Sequence, residues 1–420
     1  MSAARGGGPL AGVRVLDLSR LLPGGFCSLL LADYGADVLK VEDMGMGDYI
    51  RWSPPYVEGA APSARSALFL ALNRNKRSIR IDLKQAAGRE VLLDLVREHD
   101  VVLESFRPGV LDRLGVGPEA MRAANPKLVL CSITGYGQDG PLRDRAGHDM
   151  NYLALTGVLG LTGEPGGPPV QPAGQIADLG GGALMAAFGI LAALREAERT
   201  GLGQVVDVAM ADGALSWLAL VAARFLNDEG ADPPARGMLE LAGGLACYRP
   251  YECAGGGWVA LGALEPKFWA AWCRGAGRED LLGEQFAAPG SSGHTAVAEV
   301  FAQRTRAEWE AFAVEHECCL EPVLELGEAL SSPLVREREM VVGLDQPGAA
   351  QPVSLLGAPV KLSRTPADCN RRPGPQFGEH TAAVLRAAGY DEARVARLVA
   401  DGAVAGPPDD AGGPAGSFLA

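Results

Sequence analysis

Two residues thirty positions apart, His148 and Asp178, have types and settings suited to moving a proton. His148 stands in Gly147-His148-Asp149-Met150-Asn151-Tyr152, after the stretch T-G-Y-G-Q-D-G-P-L and at the start of an expected helix. A lone histidine is more often a packed structural residue. One at a helix start, in a loop crowded with glycines, is positioned, and imidazole exchanges protons near neutral pH. Asp178 lies in Ile176-Ala177-Asp178-Leu179-Gly180-Gly181-Gly182, ahead of an apolar helix. Taken alone, it reads first as the N-cap of that helix, because aspartate suits the positive helix end. Capping does not need three glycines, which point to a backbone or a ligand passing close by. A third group is basic: Lys76, Arg77, Lys84, and Arg107 and Arg113 in S-F-R-P-G-V-L-D-R. A guanidinium fork matches phosphate oxygens, so Arg107 is either a phosphate ligand or a solvated surface charge.

These side chains need a scaffold, and the first half of the chain reads as one. Val13–Leu18 has the pattern of a buried strand, Pro23–Gly25 of a turn, Phe26–Tyr34 of a helix and Ala36–Glu42 of a second strand. Strand, helix and strand in so short a span make a βαβ unit with a parallel sheet. Further strands are expected at Ser78–Leu83, Asp100–Glu104 and Leu128–Ser132, with a helix at Gln85–Glu98 between them. The fold class is therefore α/β, a doubly wound parallel sheet, and Arg107 falls at the carboxyl end of a strand, where such sheets bind ligands. The first strand–helix turn reads L-S-R-L-L-P-G-G rather than G-x-G-x-x-G, which argues against a dinucleotide enzyme.

Beyond Asp178 the chain looks helical through Glu198, then strand-like at Gly203–Val208 and helical again at Asp212–Leu226. Asn227–Gly237 reads as a linker. A hairpin pattern from Tyr248, with its turn at Gly255–Gly257, opens a smaller α+β segment. The expected organisation is 9–230 as the larger domain and 238–330 as the smaller. The segment 331–400 returns to the larger domain, and 403–420 forms a disordered tail rich in Ala, Gly, Pro and Asp. A chain of 420 residues with net charge −13 lacks the broad basic surface of a nucleic-acid binder. Its eight cysteines are scattered without zinc spacing, so no metal site is expected and the thiols fit a cytoplasmic protein. Met1–Leu10 carries no apolar signal core, and the apolar run Gly180–Leu194 is too short to span a bilayer, so no membrane partner is expected.

At longer range the sequence resembles the family III CoA-transferases, the CaiB/BaiF superfamily, in the branch that contains α-methylacyl-CoA racemases. The resemblance runs from about Pro9 to about Leu385. It is carried by P-L-A-G-V-R-V-L-D-L-S, L-A-D-Y-G-A-D-V-L-K-V-E, N-R-N-K-R-S-I-R-I-D-L-K, S-F-R-P-G-V-L-D-R-L-G-V-G-P-E, A-G-H-D-M-N-Y-L-A-L and V-A-L-G-A-L-E-P-K-F-W. Most of these phrases are common to the superfamily; G-H-D-x-N-Y is similar to the racemase form of its loop. The resemblance implies an interlocked homodimer acting on acyl-CoA, with coenzyme A as the thioester part of the substrate and no other cofactor. It implies His148 and Asp178 as an acid/base pair, with Glu265 orienting the imidazole. It also implies ligand contacts at Asp82, Leu83, Lys84, Ser105, Phe106, Arg107, Arg113, Gly147, Asp149, Asn151 and Tyr152. One departure stands out. Family members often carry an arginine after the second strand that holds the CoA nucleotide, and here Asp43 occupies that place. Either recognition differs locally, or Lys40, Arg51 or Arg77 takes over.

The implied reaction inverts the α-carbon of a 2-methylacyl-CoA through an enolate. It needs a base on each face and donors for the enolate oxygen, which backbone N–H groups near Asp149 could supply. In a CoA transferase an aspartate at position 178 is instead the nucleophile, so its placement alone does not choose the chemistry. A non-catalytic CoA-binding protein would have no need of His148, Asp178 and Glu265 together.

Overall fold

The computed structural model describes residues 7–228, 230 and 233–408. These fall into two compact units. The larger is drawn from Met1–Tyr152, Gly174–Ser216 and Pro333–Ala420, and the smaller from Leu153–Ala173 and Trp217–Ser332.

The larger unit is built on strands β1 (Arg14–Asp17), β2 (Asp37–Glu42), β3 (Lys76–Ile81), β4 (Val101–Glu104), β5 (Val129–Thr134) and β6 (Val205–Ala209). They form one parallel sheet in the order β3-β2-β1-β4-β5-β6, with Val404–Ala405 added antiparallel on the outer edge of β3. Val15, Leu16, Val38, Leu39, Val101, Val102 and Leu103 have no exposed surface. Such unbroken burial is why these strands read as continuous apolar runs rather than alternating ones. One face packs on Ala86–Val96, Pro118–Ala124, Thr381–Ala387 and Glu392–Ala400 through Leu92, Met121, Leu385 and Leu398. From β1 the chain builds outward to β2 and β3 on one side, then returns to β4–β6 on the other. The carboxyl ends of β1 and β4 therefore flank the crevice at the switch point, the usual ligand place in an open α/β sheet.

Several expected boundaries move. The first helix is Leu21–Asp33, so Pro23-Gly24-Gly25 lies inside its opening turn, where proline is tolerated because its missing N–H would be unpaired anyway. The helix expected after Asp178 begins before it and runs Ile176–Thr200, among the described residues the one helix long and apolar enough to cross a membrane. It buries Ala183, Ala186, Ile190 and Ala193 in the larger unit and exposes Phe188 and Leu191. The expectation of a disordered tail from 403 is corrected at its start. Ala403 and Val404 are fully buried in the core, and the Asp82 N–H donates to the Ala403 carbonyl at 2.9 Å. Residues 409–420 lie outside the described residues.

The smaller unit holds strands β7 (Tyr248–Glu252), β8 (Trp258–Gly262) and β9 (Leu320–Pro322), all antiparallel. The expected hairpin is present, with Gly255 and Gly256 at φ +80° and +89°, a conformation that a side chain would strain. Its core is aromatic: Trp269 stacks on Trp272 at 5.0 Å and Trp272 on Phe301 at 5.2 Å. Two stretches, 153–173 and 217–228, belong with this unit rather than with the larger one.

Candidate active site

His148 immediately precedes the helix Asp149–Leu155, and the fold anchors everything around its exposed side chain. Its carbonyl accepts from Asn151 N at 2.8 Å, and its own N–H donates to Asn151 Oδ1 at 3.0 Å, a reciprocal turn closure like a capping box. Tyr152 is buried, donates its hydroxyl to the Gly147 carbonyl at 2.6 Å, and meets Tyr136 edge-on at 5.2 Å. A Cβ on Gly147 would lie 2.8 Å from the Tyr152 ring, so the loop passes only as glycine. Asn151 and Tyr152 thus shape the loop, and His148 is the side chain it presents.

Asp149 points the other way. It is buried, and its Oδ1 accepts from the N–H groups of Ala177 at 2.7 Å and Asp178 at 2.9 Å. Those are first-turn donors of the helix that starts at Ile176, whose own N-cap, Gln175, offers no side-chain bond. The reading of Asp178 as the cap is corrected: Asp149 caps the helix from another element, which frees the Asp178 carboxylate. The same two bonds tie the His148 loop to Asp178. Burial pushes the Asp178 carboxyl up, the Asp149 charge pushes it further, and His148 pulls it back, leaving it at about 6. Gly181 serves a different contact, with the helix Met210–Ser216. A Cβ there would lie 2.7 Å from the Met210 carbonyl oxygen and 2.8 Å from Ala214 N, so the glycines let two helix backbones touch.

The other implied ligand residues gather at carboxyl ends of strands. After β3, Asp82 closes a turn by accepting from Lys84 N at 3.0 Å, Leu83 packs on the core, and Lys84 is exposed. After β4, Ser105 Oγ accepts from Arg20 N at 3.4 Å, and the Phe106 N–H donates to Glu104 Oε2 at 2.7 Å. Arg107 and Arg113 extend into solvent. Burial pushes the Glu104 carboxyl up to about 7, opposed by hydrogen bonds from Ser132 and Phe106. Glu265 belongs to the smaller unit, exposed at the start of the helix Pro266–Gly275 and not capping it with its side chain.

The three substitutes considered for the missing arginine are engaged elsewhere. Lys40 is fully buried and pairs with Asp48 at 2.9 Å; Arg51, equally buried, holds Glu42 through two bonds at 2.6 and 2.8 Å. Arg77 binds Asp37 at the amino end of β3, away from the crevice. Lys76 is buried against Asp17, Ser28 and Asn73, with burial bringing its ammonium down to about 8. Asp43 itself accepts from Gly45 N at 2.8 Å and Gly47 N at 3.1 Å and pairs with Arg20. Position 43 thus retains a guanidinium, supplied by Arg20, whose backbone already touches Ser105. No local sequence signal at Asp43 points to that partner.

A doubly wound parallel sheet, polar and basic residues past the carboxyl ends of its strands and a histidine–carboxylate pair fit an acyl-CoA enzyme, and the sequence profile of CoA-transferase family III matches residues 10–381. The chain belongs to that family. It is 38% identical to the alpha-methylacyl-CoA racemase of Mus musculus over 398 residues, covering 93% of this chain and 96% of that protein. It is 35% identical to the succinyl-CoA:mesaconate CoA-transferase of Haloarcula hispanica over 395 residues, covering 91% and 97%. The crystal structure of a CaiB/BaiF family protein from Brucella suis superposes with a TM-score of 0.77 at 32% identity, covering 91% of this chain and all of that one.

Proposed function

We propose that this protein is a racemase of 2-methylacyl-CoA thioesters, a cytoplasmic homodimer that inverts the α-carbon by two-base proton transfer. The observation that carries this reading is a half-buried carboxylate held at about 6 beside a histidine. Burial and the Asp149 charge bring the Asp178 carboxyl toward neutral pH, so it can start as base or as acid, with His148 as its counterpart on the other face. In one direction Asp178 takes the α-proton, the electron pair moves into the thioester carbonyl as an enolate, and protonated His148 delivers a proton to the opposite face. The reverse direction begins from the exchanged protonation states. The backbone N–H groups of Asp149 and Met150, which donate to no group among the described residues, are the nearest donors for the enolate oxygen. The family resemblance assigns Glu265 the role of orienting the imidazole. Arg107, Arg113, Lys84 and Ser105 would hold the CoA moiety, and no metal or redox group is called for.

The relatives that are CoA-transferases favour a second reading. There Asp178 attacks the acyl-CoA carbonyl and expels CoA thiolate, leaving an aspartyl mixed anhydride; the thiolate then attacks the aspartyl carbonyl and releases the first carboxylate. No α-proton moves on that path. Incubation in heavy water with 2-methylacyl-CoA separates the two. Deuterium at the α-carbon supports the racemase, and CoA transfer to an added carboxylate without deuterium supports the transferase.

A further inference from the structure

The expected ligand set left one cation out. Arg143 lies on the loop after β5, and sequence reasoning gave it no role. In the structure its side chain reaches toward Gly109, which ends the turn after β4 with φ +75°. A Cβ built on Gly109 would lie 3.7 Å from Arg143 Nη2 and 3.4 Å from Arg113 Nη1. Two guanidiniums from separate elements thus converge on one residue that has no side chain to come between them. Arg113 makes no ion pair or side-chain hydrogen bond with the described residues. Arg143 has a single weak contact, Nε at 3.8 Å from the carboxylate of Asp144, which is itself 81% exposed. Like charges drawn together without a shared carboxylate repel, and an anion between them reverses the sign of that interaction. The cluster stands just past the carboxyl end of β4, at the switch point, with Arg107 two residues away in the same turn. A fork of two guanidiniums suits a phosphate dianion better than a single-charged carboxylate.

We propose that Arg143 is a phosphate-binding residue for the CoA nucleotide, closing against Arg113 over Gly109. This rests on the acyl-CoA reading of the site. The test is calorimetric titration of the full-length protein with CoA and with 3′-dephospho-CoA, for wild type, Arg143→Gln and Arg143→Lys. Arg143→Gln should weaken CoA binding about three- to tenfold, the loss growing as salt is lowered, and Arg143→Lys should recover part of it. A loss confined to CoA identifies the 3′-phosphate as the partner; an equal loss for both ligands identifies the diphosphate. Unchanged affinity of Arg143→Gln for both ligands at low salt overturns the proposal, as does a wild type that binds neither. Protein that binds CoA through Arg143 yet takes up no α-deuterium keeps the clamp and loses the racemase reading. Deuterium uptake with affinities indifferent to Arg143 does the reverse.

Discussion

Asp149→Asn isolates the charge that tunes Asp178. Asparagine keeps an Oδ1 able to accept from Ala177 N and Asp178 N, so the tie between the loop and the helix survives while the negative charge goes. Asp178 stands at about 6 against an ordinary 3.8, a rise of about 3 kcal/mol at roughly 1.4 kcal/mol per unit. Burial is the larger cause, Asp149 the second, and the opposing pull of His148 the smallest, so the substitution should lower the Asp178 pKa while burial still keeps it above the ordinary value. In the direction where Asp178 is the base, activity falls as pH drops through its pKa. The acid limb of kcat/KM for α-deuterium exchange should therefore move to lower pH, by less than the full rise of about two units. An acid limb that stays in place or moves up, in a variant with unchanged melting temperature, would refute the reasoning.

Three other outcomes follow from the structure. Glu104 is raised to about 7 by burial, so the folded state holds its proton more tightly than the unfolded chain, and stability declines as pH rises from the unfolded pKa through about 7. Glu104→Gln should melt higher than wild type near pH 8, by at most about 3 kcal/mol of stability, and this advantage should vanish near pH 4; a pH-independent difference would contradict the assignment. Asp43→Arg should weaken CoA binding a few-fold, because it removes the acceptor that holds Arg20 beside Ser105; tighter binding in calorimetry would mean that position 43 faces the nucleotide. Arg51→Ala should cost about 3–5 kcal/mol in urea unfolding by stranding buried Glu42, and a loss under about 1 kcal/mol would show that Glu42 finds water or another partner.

Much of the sheet could be read in advance because a strand buried on both faces is a run of apolar residues in any context. Val13–Leu18 and Asp100–Glu104 sit where β1 and β4 form, and the Gly255–Gly257 turn where β7 meets β8. Helix starts were less legible. Leu21 and Ile176 open their helices without a capping residue of their own, since Arg20 and Gln175 make no side-chain bond. The cap on the second helix comes from Asp149, twenty-seven residues earlier than Ile176, and only tertiary structure joins them. Val404 reads as part of a tail because its neighbours are glycine, alanine and proline; its edge pairing with Ile81 depends on β3 alone. The same limit hid Arg20, Glu104 and Arg143. Each acquires its setting from a partner on another element, Asp43, Ser132 and Gly109 in turn.

The central claim is that His148 and Asp178 each serve one face of an acyl-CoA α-carbon. It is tested most directly by α-deuterium uptake from heavy water, followed by mass spectrometry on separate epimers of 2-methylacyl-CoA. Wild type should label both epimers and interconvert them. His148→Ala and Asp178→Ala should each lose interconversion by about 100- to 10,000-fold, while retaining exchange on opposite epimers. Acceptor-dependent CoA transfer that requires Asp178, tolerates His148→Ala and leaves the α-carbon unlabelled would contradict the account.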